Sequence, residues 1–271
     1  MRSILRDTFF RFALPSGLAI LLLLTADALA GAALSRDADV LTVQLGDVLV
    51  QIVTTERAPV GLTFVSVHEN EQSAVTAAQR AIVRHGGRLV ELRAQRKRLV
   101  SFKLREIPHT FDPNRMFTDG GVERSLRRYG PYSRLAHDAV TQLGKRLVAH
   151  IRNNFTPPLV AVHNNTDGAL SVESYRKGSR LQGEAARVAI NPKLDPDDFF
   201  LVTDRAIFDR LATAGFNVVL QSAQPTDDGS MSVFCRYSGI PYLNVEAEFE
   251  HLSEQSRMLD AVVELVRGRR P

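Results

Sequence analysis

Cysteine is all but missing from this 271-residue chain, in which Cys235 stands alone. An internal disulfide is therefore excluded, and so is a cysteine-based metal site, which leaves histidine and carboxylates as the available ligands. A single thiol in an oxidising compartment is expected to be buried and inert. Charge of one sign is lacking too. The 34 basic residues face 30 acidic ones, a balance too even and too scattered for a nucleic-acid surface. The short run of Arg93, Arg96, Lys97 and Arg98 reads as a solvated turn flanking a strand pair. Linkers rich in Pro, Ser or Gly, internal repeats and low-complexity segments are also missing, so one domain is expected.

No apolar stretch near the N-terminus is long enough to span a bilayer. Residues 18–24 form an apolar run of about seven, against the roughly 20 that a membrane helix needs. Arg2, Arg6 and Arg11 precede it and Ala28-Leu29-Ala30 follows it. That pattern predicts an export signal over residues 1–30 and a periplasmic or secreted protein, with an uncleaved anchor as the lesser alternative. Residues 31–271, the expected domain, keep 31 basic and 28 acidic side chains.

What is present alternates between two periods. Residues 41–45 and 48–53 flank Gly46-Asp47 and predict an N-terminal hairpin within residues 31–58. Residues 62–67, 89–92, 99–104, 159–162, 217–220 and 242–245 read as short apolar strands. Residues 72–85, 135–151, 205–214 and 254–267 carry helical spacing, the first of them ended by Gly86-Gly87. Strands alternating with amphipathic helices predict a three-layer α/β/α domain with a mostly parallel or mixed sheet, whose site lies at the carboxyl ends of its strands. A long polar stretch from Asn164 to Phe199 is expected to be a functional loop.

Chemistry-bearing residues stand where those strands stop. The strand at 62–67 runs into His68-Glu69-Asn70-Glu71, in which His68 and Glu71 can turn toward one ion while Glu69 projects elsewhere. The strand at 159–162 ends in His163, followed by Asn164-Asn165-Thr166-Asp167-Gly168. Two histidines and one glutamate leave a fourth position open, as in catalytic rather than structural zinc sites. Glu246 ends a third apolar strand and is the candidate general base, with Glu248 as its rival. In Phe111-Asp112-Pro113-Asn114-Arg115-Met116-Phe117, Arg115 can grip a substrate carboxylate with Asn114 as a neutral donor; the plainer alternative pairs Arg115 with Asp112 or Asp119. His85, His137 and His150 lie on helices and are expected to be structural, as is the acidic group Asp195, Asp197 and Asp198. Tyr175 can close over a substrate.

In this order, the four elements resemble the zinc carboxypeptidase superfamily, most closely its aspartoacylase and succinylglutamate desuccinylase branch. His68-x-x-Glu71 is similar to its first metal motif, Asp112-Pro113-Asn114-Arg115-Met116-Phe117 to its substrate motif, and His163-Asn164-Asn165-Thr166 to its third-ligand loop. The resemblance covers roughly residues 60–250. It implies one Zn2+ on His68, Glu71 and His163, Glu246 as catalytic carboxylate, Asn114 and Arg115 on the substrate carboxylate, and hydrolysis of a peptide or N-acyl amino acid, including cell-wall fragments. Two departures stand out. Ala161 occupies a region where the branch often has Asp, which leaves the orientation of His163 unassigned, and the family's carbonyl-polarising arginine has no clear counterpart, Arg93 and Arg105 being the candidates. The chain ends soon after its closing helix, so an open cleft is expected in place of the extra β domain of aspartoacylases. Two other readings compete with the hydrolase: a non-catalytic peptide-binding protein of the same fold, and a structural domain in which the three ligands never meet.

Overall fold

The computed structural model describes residues 39–59, 61–153 and 155–268; the signal expected over residues 1–30 lies outside them. The chain opens with the hairpin β1 (Asp39–Leu45) and β2 (Val48–Arg57), turned at Gly46 with φ +59°. Then come β3 (Thr63–Ser66), α1 (Gln72–His85), β4 (Gly87–Arg93), and a second hairpin, β5 (Val100–Leu104) and β6 (Ile107–Phe111). Helices α2 (Asp119–Tyr129) and α3 (Arg134–Arg152) lead to β7 (Leu159–Asn165). The second half holds β8 (Ala185–Ala189), β9 (Phe199–Val202), α4 (Arg205–Thr213), β10 (Val218–Gln221), α5 (Met231–Tyr237), β11 (Tyr242–Glu248) and α6 (Leu252–Arg267).

Nine strands form one mixed sheet in the order β1-β2-β4-β3-β7-β11-β9-β10-β8. Its centre is parallel: β3 pairs with β4 and with β7, and β7 pairs with β11, all in the same direction. β9 then runs antiparallel to β11. Three neighbouring strands therefore deliver their carboxyl ends to one edge, the arrangement in which α/β sheets place their sites.

Alternation along each strand explains the layers. Phe64, Val160, Val162, Phe200 and Val202 pack under α1, α4 and α6, whereas Val65, Leu159, Ala161, Phe199 and Leu201 pack with α2, α3, α5 and the β5–β6 hairpin. Both faces are covered, so these strands are apolar throughout, as parallel strands between helices must be. The three-layer α/β/α fold is the one that the periodicity predicts. Helix α1 lies close to the sheet through an inner face of Ala74, Ala77, Ala78 and Ala81, all fully buried. Among the described residues no helix is long and apolar enough to cross a membrane.

Several elements depart from the sequence reading. The basic run beside Arg93 does not flank a strand pair: β4 belongs to the large sheet, while β5 pairs only with β6 in a separate two-stranded sheet. The polar stretch 164–198 contains the edge strand β8, whose half-exposed residues give no apolar signal. The sequence reading also passes over helix α2, which buries Val122 and Leu126 among mostly polar residues, and the seven-residue α5, too short to show a period.

One contact ties the fold to the candidate substrate motif. Gly121, at the start of α2, faces Gly229, and a Cβ on Gly121 would lie 2.2 Å from Gly229 Cα and 2.7 Å from the Arg115 carbonyl oxygen. Gly121→Ala should therefore push the Arg115 loop and the 229 turn apart and cost about 1–3 kcal/mol, the usual range for overpacking. The midpoint of urea unfolding measures it, and an unchanged midpoint would show that the two segments separate freely.

Candidate metal centre

Strand β3 ends at Ser66 and α1 begins at Gln72, so His68 to Glu71 form a tight crossing at the sheet edge. The Glu71 N–H donates to the His68 carbonyl at 3.2 Å, and this turn places both side chains on the same side. His68 Nδ1 lies 2.8 Å from Glu71 Oε1. His163, on the neighbouring parallel strand β7, puts its Nδ1 2.9 Å from Glu71 Oε2. The two imidazole centroids are 5.2 Å apart. The three residues are 0%, 2% and 3% exposed respectively. One ligand atom from each lies within 4.8 Å of the others.

The surroundings orient these side chains. His68 Nε2 donates to Asp112 Oδ1 at 2.7 Å, which leaves Nδ1 to face the cluster; a carboxylate behind a histidine is the usual way of setting its tautomer and basicity. Asp112 thus pairs with His68, and Arg115 influences it through charge alone. His163 is held through its backbone rather than through a residue at Ala161, which is part of the core. The Gln255 amide donates to the His163 carbonyl, and Asn164 accepts from the Ala74 N–H and donates to Ala247 O and Gln255 Oε1. Asn164 thus locks the end of β7 to α1, β11 and α6.

Charge within this buried cluster is finely divided. Burial opposes charge on His68, but the Glu71 and Asp112 carboxylates raise it to about 9. Burial likewise works against ionised Glu71, yet His68 and His163 hold it well below the usual carboxylate range. Burial pushes Asp112 up, but the His68 contact together with the Arg98 and Arg115 charges draws it down to about 2. A buried carboxylate set of this kind needs positive charge beside it, either protons on the imidazoles or a cation between them.

Glu246 stands beside the cluster on β11, directly opposite His163 in register. It is buried, takes a hydrogen bond from Asn244 Nδ2 at 2.9 Å, and is pushed above the ordinary carboxylate value by burial and then by Glu71. Strand β11 continues past it to Glu248, whose N–H is held by Asp198 Oδ1 and whose carboxylate lies 3.5 Å from His251 Nε2. Glu246 is thus the one of the two that is influenced electrostatically by His163 and Glu71, while Glu248, at the end of the strand, pairs with His251.

Asn114 and Arg115 follow Asp112 in a 3-10 turn that Asp112 caps through the Asn114 N–H. Asn114 Oδ1 accepts from the Met231 N–H, and Arg115 bonds the Asn114 carbonyl and approaches Asp228 Oδ2 at 3.6 Å. Arg115 also acts electrostatically on Asp112, so the turn borders the cluster.

Arg98 is the residue that the sequence reading misses. Its Nη1 is 2.6 Å from Glu71 Oε1 and its Nη2 3.8 Å from Asp112 Oδ2. The candidates by spacing lie elsewhere. Arg93 pairs with Glu91 at 2.8 Å, and Arg105 sits exposed in the β5–β6 turn at φ +50°. Nothing in a run of four basic residues distinguishes the one whose turn folds back over the sheet edge. Tyr175 is buried against Phe199, and burial, with Glu246 adding to it, raises its hydroxyl well above the ordinary value. Cys235 is buried, its thiol pushed up to about 12 by desolvation.

The remaining candidates have structural partners. His85 pairs with Asp260, His137 with the Asp119 carbonyl and His150 with Thr54. Asp195 accepts the Asp197 N–H, Asp197 accepts the N–H of Gly168 just beyond β7, and Asp198 engages His251.

Fold and side chains together define a three-layer α/β domain with a buried two-histidine, one-glutamate cluster at the carboxyl ends of adjacent parallel strands. The donor set fits a metal ion: two imidazole nitrogens and a carboxylate face one another, a carboxylate backs His68, and another carboxylate stands alongside. No family model and no curated protein matches the chain. Among solved structures it is similar to a proposed metallopeptidase from Shewanella baltica OS155, with TM-score 0.41 and 12% identity over 91% of each chain. It is also similar to one from Shewanella amazonensis SB2B, with TM-score 0.40 and 13% identity over 92% of this chain and 91% of that one. A third is the tripeptide-bound cell shape determinant Csd4 of Helicobacter pylori, with TM-score 0.37 and 11% identity over 80% of this chain and 55% of that one.

Proposed function

We propose that this chain is an exported, zinc-dependent hydrolase that cleaves an amide bond in a peptide or N-acyl amino acid bearing a free carboxylate, in the manner of the zinc carboxypeptidases and their aspartoacylase branch. The observation that carries the reading is the convergence of His68, Glu71 and His163 within 4.8 Å, all buried. One Zn2+ would be held by His68 Nδ1, the Glu71 carboxylate and His163 Nδ1, a nitrogen and oxygen set suited to that ion. When bound, zinc supplies Lewis-acid polarisation of a carbonyl and a more acidic water.

The protein's own groups do the rest. Glu246 accepts the proton of the attacking water and returns it to the leaving amine, a task that its burial favours by raising its proton affinity. Arg98 donates to the scissile carbonyl oxygen, where negative charge develops. Arg115 and Asn114 hold the substrate carboxylate, Arg115 through its planar fork. Asp112 keeps His68 in the tautomer that presents Nδ1. Peptide fragments of the cell wall belong to this substrate class and suit a periplasmic or secreted enzyme.

Two measurements test the reading. Protein purified without chelator should contain one zinc per chain, and a panel of dipeptides and N-acyl amino acids should be hydrolysed only where a free carboxylate is present. Absence of zinc after loading would overturn it and favour the non-catalytic peptide binder. Asp112→Asn should weaken zinc about 10–100-fold by unsettling the His68 tautomer; a competition titration against a chromophoric chelator reads this directly, and unchanged affinity would remove Asp112 from the site.

A further inference from the structure

Glu69 lies between the two ligands of the first motif and turns away from them, which poses the question of what it does. Its Oε2 accepts the N–H of Ala94 at 2.8 Å and the N–H of Arg96 at 2.5 Å. Those two groups belong to the turn between β4 and β5, the segment that carries Arg98. The neck of the turn is closed by Gln95, which exchanges two hydrogen bonds with the backbone of Ser101. Its apex is strained: Arg96 adopts φ +55°, a left-handed conformation that a side-chain-bearing residue keeps only under support from its surroundings. One carboxylate oxygen receiving the N–H groups on either side of Gln95 supplies that support.

We infer that Glu69 is a positioning residue that fixes the 94–98 turn so that Arg98 reaches the reacting carbonyl. The inference rests on the role of Arg98 under the proposed hydrolase function. Arg98 is half-exposed along its side chain and meets the cluster only through its guanidinium, so its own packing cannot place it. Within the crossing His68–Gln72, alternate carboxylates then have separate tasks. Glu71 joins the ligands, and Glu69 sets the arginine that faces them. During turnover Arg98 must exchange Glu71 for the substrate carbonyl, and a fixed turn keeps both within reach of one short guanidinium movement.

The test uses full-length, zinc-loaded protein and the best-turned-over member of the peptide panel. Glu69→Ala should lower kcat about ten- to a hundred-fold, the cost of displacing a group by roughly 1 Å, with KM changed less than kcat and zinc content unchanged. Hydrogen exchange at the Ala94 and Arg96 amides should become fast. Glu69→Gln keeps an acceptor oxygen and should restore both protection and rate. Combined with Arg98→Ala, Glu69→Ala should add no further loss, because both changes remove the same contribution. Additive losses, or an unchanged kcat in Glu69→Ala, would overturn the inference. Should Glu69→Ala fail to fold, Glu69→Asp, which keeps the charge and withdraws it by one methylene, reads the same loss. A full rate in Arg98→Ala itself would instead remove the arginine from the proposed mechanism, so the two failures are distinct.

Discussion

Replacing Glu246 by glutamine should stop turnover and leave the metal in place. The amide has the carboxylate's shape, and its oxygen can still accept from Asn244 Nδ2, so the buried pocket needs no repacking. Glu246 is also not among the three residues whose ligand atoms cluster, so zinc stoichiometry should hold. What disappears is the basic oxygen, because glutamine cannot take a proton from water. The expected loss in kcat is about two to four orders of magnitude, the range for a positioned general base. Glu248→Gln is the control. Its carboxylate serves His251 at the outer end of the same strand, and the variant should keep nearly full activity. The opposite pattern, an active Glu246→Gln and an inactive Glu248→Gln, would transfer the role to the outer glutamate.

The clustered residues are legible in the sequence because each apolar run stops at a polar residue, even though β7 and β11 continue three residues beyond the run. Apolar residues at 62–67 and 159–162 predict buried strands, and a histidine directly after such a run must sit at the sheet edge. That β3 and β7 are neighbours is a different matter, since it depends on strand order, and nothing in either segment encodes it. Helix α1 was visible to the residue because its alanine face, its Gly86 terminus and its basic last turn agree. Edge strand β8 was not, because strands without a buried face lack the period-2 signal. The same distinction separates Glu246 from Arg98. Glu246 directly follows the apolar run 242–245 on β11, a position that can be read from the sequence. Arg98 lies in a turn whose course is set by Glu69, 29 positions earlier in numbering, and by the Gln95–Ser101 closure. The contact of Asp112 with His68 is hidden for a related reason, since the two lie 44 residues apart.

Arg98→Ala should separate binding of the metal from catalysis in a way that no ligand variant can. The guanidinium holds Glu71 Oε1 at 2.6 Å, and that oxygen is one that a metal ion would use. The ion pair therefore competes with metal loading. With one partner half-exposed, it is worth no more than about 1 kcal/mol, so its removal should leave zinc affinity unchanged or tighten it by at most about five-fold. Turnover should move the other way. Loss of a single donor to a developing oxyanion costs about 10²–10³ in kcat, and the loss should appear in kcat rather than in KM, since the ground-state carbonyl carries little charge to bind. Arg98→Lys should recover only part of the rate, because an ammonium restores the charge but not the planar, two-pronged donor that spans Glu71 and Asp112. A structural role for Arg98 predicts the reverse, with zinc affinity and thermal stability falling together and kcat of the loaded fraction unchanged. Zinc titration and single-turnover rates on the same preparation decide between these outcomes.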